Sequence, residues 1–309
     1  MQRIESIDIL KGFGIILMIV AHTYGPNSTT WDFIYAFHMP LFFIVTGFFY
    51  KQNKIKELLD KSFNQLILPY IAICVIVLTL GQIRQPHSII NDIRNAFYGI
   101  GPTWFLLTMF MARIEFHYIL KLFPNRYCIV STIISLCVCL LYQDLFSFLS
   151  LFPSLASLFF ISVGYYIKEH HLQEVINKHS VSYISIGLLL WLFTSLYGKV
   201  ELSRCLFKLS IVDFAGSLGG TLVFFIISII IAKRTVILRM VLSKAGRYSL
   251  IILFFHCIDY CIPIWYLLIP YLPPSILLTS ILILRLVFVT TCVVITLRIK
   301  WLRFFFRVH

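Results

Sequence analysis

The sequence predicts an all-α polytopic membrane protein of about ten transmembrane helices with both termini in the cytoplasm, and three observations carry that prediction. Hydrophobic residues make up 60% of the 309-residue chain and charged residues only 13%. Mean hydropathy is +0.91, and a soluble domain could not hide that much apolar surface behind so few charges. The apolar residues are also gathered into runs of spanning length. Finally, the lysines and arginines are unevenly shared between the two sets of loops.

Ten apolar segments follow one another at 9–24, 34–50, 66–82, 103–120, 127–142, 154–167, 181–197, 212–232, 248–269 and 275–297. A span takes roughly 20 mostly apolar residues, so ten use about 200 and leave short loops. Residues 1–309 therefore read as a single membrane-embedded domain. Arg3 and Lys11 ahead of Gly12–Ala21 resemble a signal peptide, but no small-residue cleavage site follows and nine further spans do, so the segment reads as a helix. The second segment contains Phe37-His38-Met39-Pro40, where the proline starts or kinks a helix.

Counted from a cytoplasmic N-terminus, nineteen lysines and arginines fall on the cytoplasmic side and five in outer loops (Arg84, Arg94, Lys199, Arg204 and Lys208), with Arg113 and Arg285 inside spans. The formal net charge of +13 sits wholly on the cytoplasmic face. Topology and anionic lipid account for such asymmetry, and the same face attracts a polyanionic cytosolic ligand. Nucleic acid is not an expected partner. The eight cysteines lie mostly in apolar runs without a Cys-x-x-Cys pair, and they read as small buried residues rather than a disulfide frame or metal site. No dinucleotide fingerprint or P-loop is present in the sequence.

Ionisable residues inside spans cost roughly several kcal/mol each and mark candidate sites. The candidates are Asp8, Lys11, His22, His38, Arg113, Glu115, His117, His256, Asp259 and Arg285. In the first segment, the eleven-residue step from Lys11 to His22 returns to within roughly 20° of the same helix face while rising about 16 Å. Asp8, Lys11, Ile15, Met18 and His22 thus form one stripe. It joins an ion pair near the cytoplasmic boundary to an imidazole inside the membrane. Such an imidazole acts as a general base or as an interhelical hydrogen-bonding group. Arg113 and His117 share a face in the fourth segment by their spacing. Arg285 requires a partner, Asp259 or Glu115.

Ser6-Ile-Asp8-Ile-Leu-Lys11-Gly12, leading to His22, resembles the opening of acyltransferase family three, the integral-membrane acyltransferases of bacteria. Phe37-His38-Met-Pro40-Leu-Phe-Phe-Ile-Val-Thr-Gly47 resembles the family's second-helix signature, especially in members likened to fucose O-acetyltransferases. Trp104-Phe-Leu and Gly246-Arg-Tyr-Ser-Leu250, continuing to His256, resemble later landmarks. Two positions depart from the family's pattern. Lys11 stands where arginine is commoner, and lysine lacks arginine's bidentate fork. Lys61 alone precedes Leu68-Pro69-Tyr70, where the family usually carries paired arginines.

The resemblance implies a multi-pass protein of the bacterial cytoplasmic (inner) membrane. It implies acetyl transfer from acetyl-coenzyme A, a donor substrate rather than a tightly bound cofactor, to a hydroxyl of a cell-envelope or exported glycan. His22, Lys11 and Asp8 are the expected catalytic group, and Lys11 and Lys61 the expected coenzyme A contacts. His38, Trp104, Arg113 and His256 are the expected substrate-binding residues, with His38 and Trp104 as candidate oxyanion donors. No metal is expected. Direct transfer and an acetyl-histidine intermediate both remain open, as does assembly into a homo-oligomer. The competing classes are a glycan or acyl-group transporter, which predicts inverted repeats not evident here, and a membrane scaffold.

Overall fold

The computed structural model describes residues 4–26, 28–84, 100–143, 148–178, 180–262 and 264–306. Arg3, Arg94 and Arg307, which enter the charge tally, lie outside the described residues, as do the side chains of Arg84 and Lys178. The chain is almost wholly helical, and the only strands among the described residues are β1 (Val200–Glu201) and β2 (Leu206–Phe207), an antiparallel pair. Among the described residues, seven helical segments are long and apolar enough to cross a membrane.

The helices are α1 (Glu5–Tyr24), α2 (Thr29–Tyr35), α3 (His38–Phe48), α4 (Ile55–Ser62), α5 (Leu68–Arg84), α6 (Trp104–Leu122) and α7 (Tyr127–Leu141), followed by α8 (Leu151–Glu169), α9 (Leu172–Lys178), α10 (Ser180–Tyr197), α11 (Ile211–Arg234), α12 (Val236–Arg247), α13 (Ser249–Cys261), α14 (Pro274–Arg298) and α15 (Lys300–Phe305). Each of the ten apolar segments of the sequence falls on this set. Three of them lie on helices outside the seven: α6, which carries Arg113, Glu115 and Lys121, and the short α7 and α13.

Two segments differ from the sequence reading. The segment at 34–50 is broken, with α2 ending at Tyr35 and α3 starting at His38. Phe37 leaves helical geometry at φ −140° and ψ −23°. Pro40 lies in the first turn of α3, where its missing N–H leaves no bond unmade. The segment at 248–269 holds its α-helix only to Cys261. Ile262 leaves helical geometry at φ −124° and ψ 73°, ahead of a proline that disfavours the helical region for the residue before it, and the chain resumes as a 3₁₀ stretch, Ile264–Tyr271. At about 1.5 Å per residue, α13 is only about 20 Å long.

Helix α1 is the hub, packing against α2, α3, α11, α12, α13 and α14. Glycine permits the closest of these crossings. A Cβ on Gly12 would collide with the carbonyl of Leu242 in α12, and one on Gly246 would collide with the carbonyl of Asp8 in α1. Gly47 of α3 and Gly164 of α8 face backbone carbonyls across a second crossing in the same reciprocal way. Small residues that let backbones touch are the usual means of holding apolar helices together in lipid. The motif glycines at 12, 47 and 246 therefore act through packing. The eight cysteines are free thiols, and Cys74, Cys139, Cys205 and Cys257 are buried.

Candidate active site

His22 occupies the last turn of α1, buried at 9% exposure, and both of its ring nitrogens are engaged. Nδ1 shares a 2.9 Å hydrogen bond with His256 Nε2, and Nε2 shares one of 2.8 Å with the Tyr35 hydroxyl. The rings of Trp31, Tyr260 and His256 pack around it at centroid distances of 5.6, 4.8 and 5.1 Å. Removal of a substrate proton by Nε2 requires the tautomer with hydrogen on Nδ1, donated to His256. In that tautomer the Tyr35 hydroxyl donates to Nε2, at the position a reacting hydroxyl would take.

The backbone at His22 is clamped as well. Arg285 of α14, 1% exposed, donates from Nη1 to the His22 carbonyl at 3.2 Å and to Thr23 Oγ1 at 3.1 Å. Its Nε lies 3.1 Å from Asp259 Oδ2. Asp259 also accepts a hydrogen bond from the Trp265 indole. The carbonyls of a last helical turn lack intrahelical partners, and here a buried cation supplies one. The partner of Arg285 is thus Asp259. Glu115 instead accepts a 2.7 Å hydrogen bond from Ser154.

His22 lines a cavity of about 100 Å³ together with Ile15, Met18, Tyr35, His38 and Trp104. The face deduced from helical periodicity, Ile15-Met18-His22, is the face that borders this space. Four stretches of the sequence singled out by motif converge on it: α1, the start of α3, Pro102–Leu106, and Ser249–Leu250 with Leu253. A second, wider cavity of about 490 Å³ is lined by Lys11, Lys51, Lys61, Gln65 and Arg113. Phe42, Leu66 and Phe105 line both cavities. Leu66 and Gln65 belong to a π-helical turn, Phe63–Ile67, between α4 and α5. Such turns are frequent at functional sites.

The expected site residues divide between the two spaces. Lys11 and Lys61 stand together in the wider cavity, with Asp8 3.0 Å from Lys11 in an ion pair one turn earlier. Arg113 stands with these cations and not beside His22, and its Nη1 reaches Gln65 Oε1 at 3.5 Å. His117, on the same face of α6, bonds the Tyr50 hydroxyl at 3.1 Å. His256 does not line the His22 cavity. It is fully buried and is bonded through Nε2 to the His22 ring.

His38 and Trp104 do line the His22 cavity. His38, 1% exposed, has Nδ1 3.0 Å from the Ile34 carbonyl. A carbonyl only accepts, so the hydrogen of neutral His38 is on Nδ1 and Nε2 is a bare acceptor. That arrangement removes neutral His38 as an oxyanion donor. Sequence reasoning missed Tyr35, although it lies one helical turn before His38 and thirteen residues after His22. It also missed Thr23.

A family model described as an acyltransferase domain matches residues 4–299, nearly the whole chain. No curated protein and no solved structure matches.

Proposed function

The chain belongs to acyltransferase family three, and from that premise we propose that it moves an acetyl group from cytosolic acetyl-coenzyme A to a hydroxyl of a cell-envelope or exported glycan, with His22 as the general base. Membership carries the coarser activity, acyl transfer by a membrane-embedded chain. The donor and the acceptor are what the resemblance to this family implies, and the arrangement around His22 supports its role as the base. The observation that carries this reading is the arrangement of the two abutting cavities. One is narrow and presents an imidazole held at both nitrogens; the other is wide and lined by Lys11, Lys51, Lys61 and Arg113.

The phosphates of coenzyme A rest among those cations, which are the polar groups suited to a polyanion. Its pantetheine arm passes Phe42, Leu66 and Phe105, residues common to both spaces, and delivers the thioester to His22. The acceptor hydroxyl takes the place of the Tyr35 hydroxyl at His22 Nε2. Its proton passes to Nε2 as its oxygen attacks the thioester carbonyl. When the tetrahedral adduct collapses, the C–S bond breaks, the ester forms, and the sulfur leaves with the electron pair of that bond. The sulfur then takes the proton from His22, giving free coenzyme A thiol. In this reading His256 Nε2 accepts from His22 Nδ1–H, which leaves the lone pair of His22 Nε2 free to take the proton. Arg285 fixes the backbone that carries the ring. A positioned base of this kind contributes typically about 10²–10⁴-fold in rate.

In this reading the cation-lined end of the bundle faces the cytosol of a bacterial cell, in a multi-pass inner-membrane protein. Acetyl-coenzyme A is consumed as a substrate and not retained. The test is acetyl release from acetyl-coenzyme A by purified protein in detergent or nanodiscs. Wild-type protein consumes the donor and His22→Ala does not, while eluting from size exclusion as wild type. Undiminished turnover in His22→Ala would remove His22 from the mechanism.

A further inference from the structure

We propose that His38 Nε2 binds a second hydroxyl of the acceptor, so that the site selects a vicinal diol over an isolated alcohol. The inference rests on the transferase reading above and adds a subsite to it. Two imidazoles border one cavity of about 100 Å³, and their hydrogen-bonding states differ. His22 is engaged at both nitrogens. His38 is engaged at one, and its Nε2 is buried with no hydrogen-bond partner among the described residues. The bond from Nδ1–H to the Ile34 carbonyl fixes its tautomer and leaves Nε2 able only to accept.

A buried acceptor left bare is unfavourable, and such a group in a native site calls for an explanation. A ligand hydroxyl supplies the missing donor. Tyr35 places this acceptor relative to the reacting position. Its hydroxyl lies 2.8 Å from His22 Nε2, and its ring centroid lies 4.6 Å from that of His38. The two imidazoles thus flank one tyrosine. Displacement of the Tyr35 hydroxyl from His22 would clear the tyrosine between the two imidazoles and let a neighbouring hydroxyl of the ligand meet His38 Nε2. Sugars carry such adjacent pairs as a rule, whereas water and simple alcohols do not. The remaining lining is mostly apolar, from Ile15, Met18, Met39 and Leu253, and suits the C–H face of a ring.

The discrimination expected of such a subsite is large. Sites built to hydrogen-bond a hydroxyl reject analogues lacking it far more strongly than apolar pockets reject a changed methylene, because the buried partner is left unpaired. Cyclohexane-1,2-diol and cyclohexanol serve as probes, with acetyl-coenzyme A as donor. Wild-type protein is expected to favour the diol by about 10²-fold or more in kcat/KM. H38N carries an amide N–H near the position of Nδ1 but nothing at Nε2, and should bring the ratio below about tenfold. H38Q reaches toward the Nε2 position with its amide and should restore part of the preference. Coenzyme A affinity, measured on each variant, reports folding.

Equal use of the two alcohols by wild type overturns the inference, whatever the variants do. So does a preference unchanged in H38N, or use of neither alcohol while acetyl-coenzyme A is hydrolysed in a His22-dependent way. Those three results leave the transferase reading standing. Absence of any His22-dependent consumption of acetyl-coenzyme A defeats that reading, and the subsite with it.

Discussion

Around His22 the side chains are buried and tied to one another, whereas a few residues away the cations of the wider cavity reach toward solvent. His22, His256, Asp259 and Arg285 are all buried, and the imidazole and guanidinium have partners fixed by distance. Lys51 and Lys61 are exposed, and Lys11 and Arg113 are partly so. The contrast matches two tasks. A proton transfer needs a donor and acceptor held to a fraction of an ångström. Capture of a charged, freely diffusing molecule needs only a field of the right sign, and such a field tolerates loose side chains. The three residues shared by the cavities, Phe42, Leu66 and Phe105, are apolar, which suits the proposed passage of an uncharged arm.

Substitutions in the two regions should therefore fail in different ways. The largest effect belongs to His22→Ala, which should lower kcat by about 10²–10⁴-fold in a donor-consumption assay. A stability effect of similar size is expected behind it. Arg285→Met strands Asp259 without its cation, and breaking a buried pair typically costs about 3–5 kcal/mol. It should show as a large drop in Tm by thermal unfolding in detergent, partly relieved in Arg285→Met/Asp259→Leu, where both charges are gone. His256→Ala should leave the fold intact and reduce kcat by about 10–100-fold, the usual penalty for losing a partner that orients a functional histidine. The donor KM should change little, and steady-state kinetics separates the two. The smallest effects belong to the cations. Lys11→Ala or Lys61→Ala should each raise the donor KM by about threefold to tenfold at low salt, with kcat nearly unchanged. The difference from wild type should shrink at high ionic strength, because exposed charges are screened.

Much of the fold is legible from composition, because lipid leaves a chain few choices beyond apolar helices. All ten apolar runs fall on helices. The stripe Ile15-Met18-His22 is legible too, since helical periodicity fixes which residues share a face. What the sequence does not reveal are contacts between distant segments. His22 meets His256 across 234 positions and Arg285 across 263. No local period encodes such pairings, so His256 reads as a substrate contact and Arg285 has two eligible partners until the helices are packed. The break between α2 and α3 is a subtler case. Pro40 signals a helix start, but only the observed turn at Ala36–Phe37 brings Tyr35 against His22. Arg113 is a case where placement, too, needs the packed helices. Its place in an apolar run marks it as a candidate site residue, and the structure sets it in the wider cavity with the lysines, near Gln65 of the π-helical turn.

Division of labour between the two cavities is the claim on which the rest depends, and coenzyme A binding tests it most directly. Isothermal titration of coenzyme A into wild type, His22→Ala and Lys11→Ala/Lys61→Ala, paired with turnover on the same preparations, reads both tasks at once. Wild-type affinity in an inactive His22→Ala protein, beside weakened affinity in the double lysine variant, is the predicted result. If His22→Ala lost coenzyme A binding as the lysine variant did, or if the lysine variant bound as wild type does, the two cavities would not be separate stations for donor capture and chemistry.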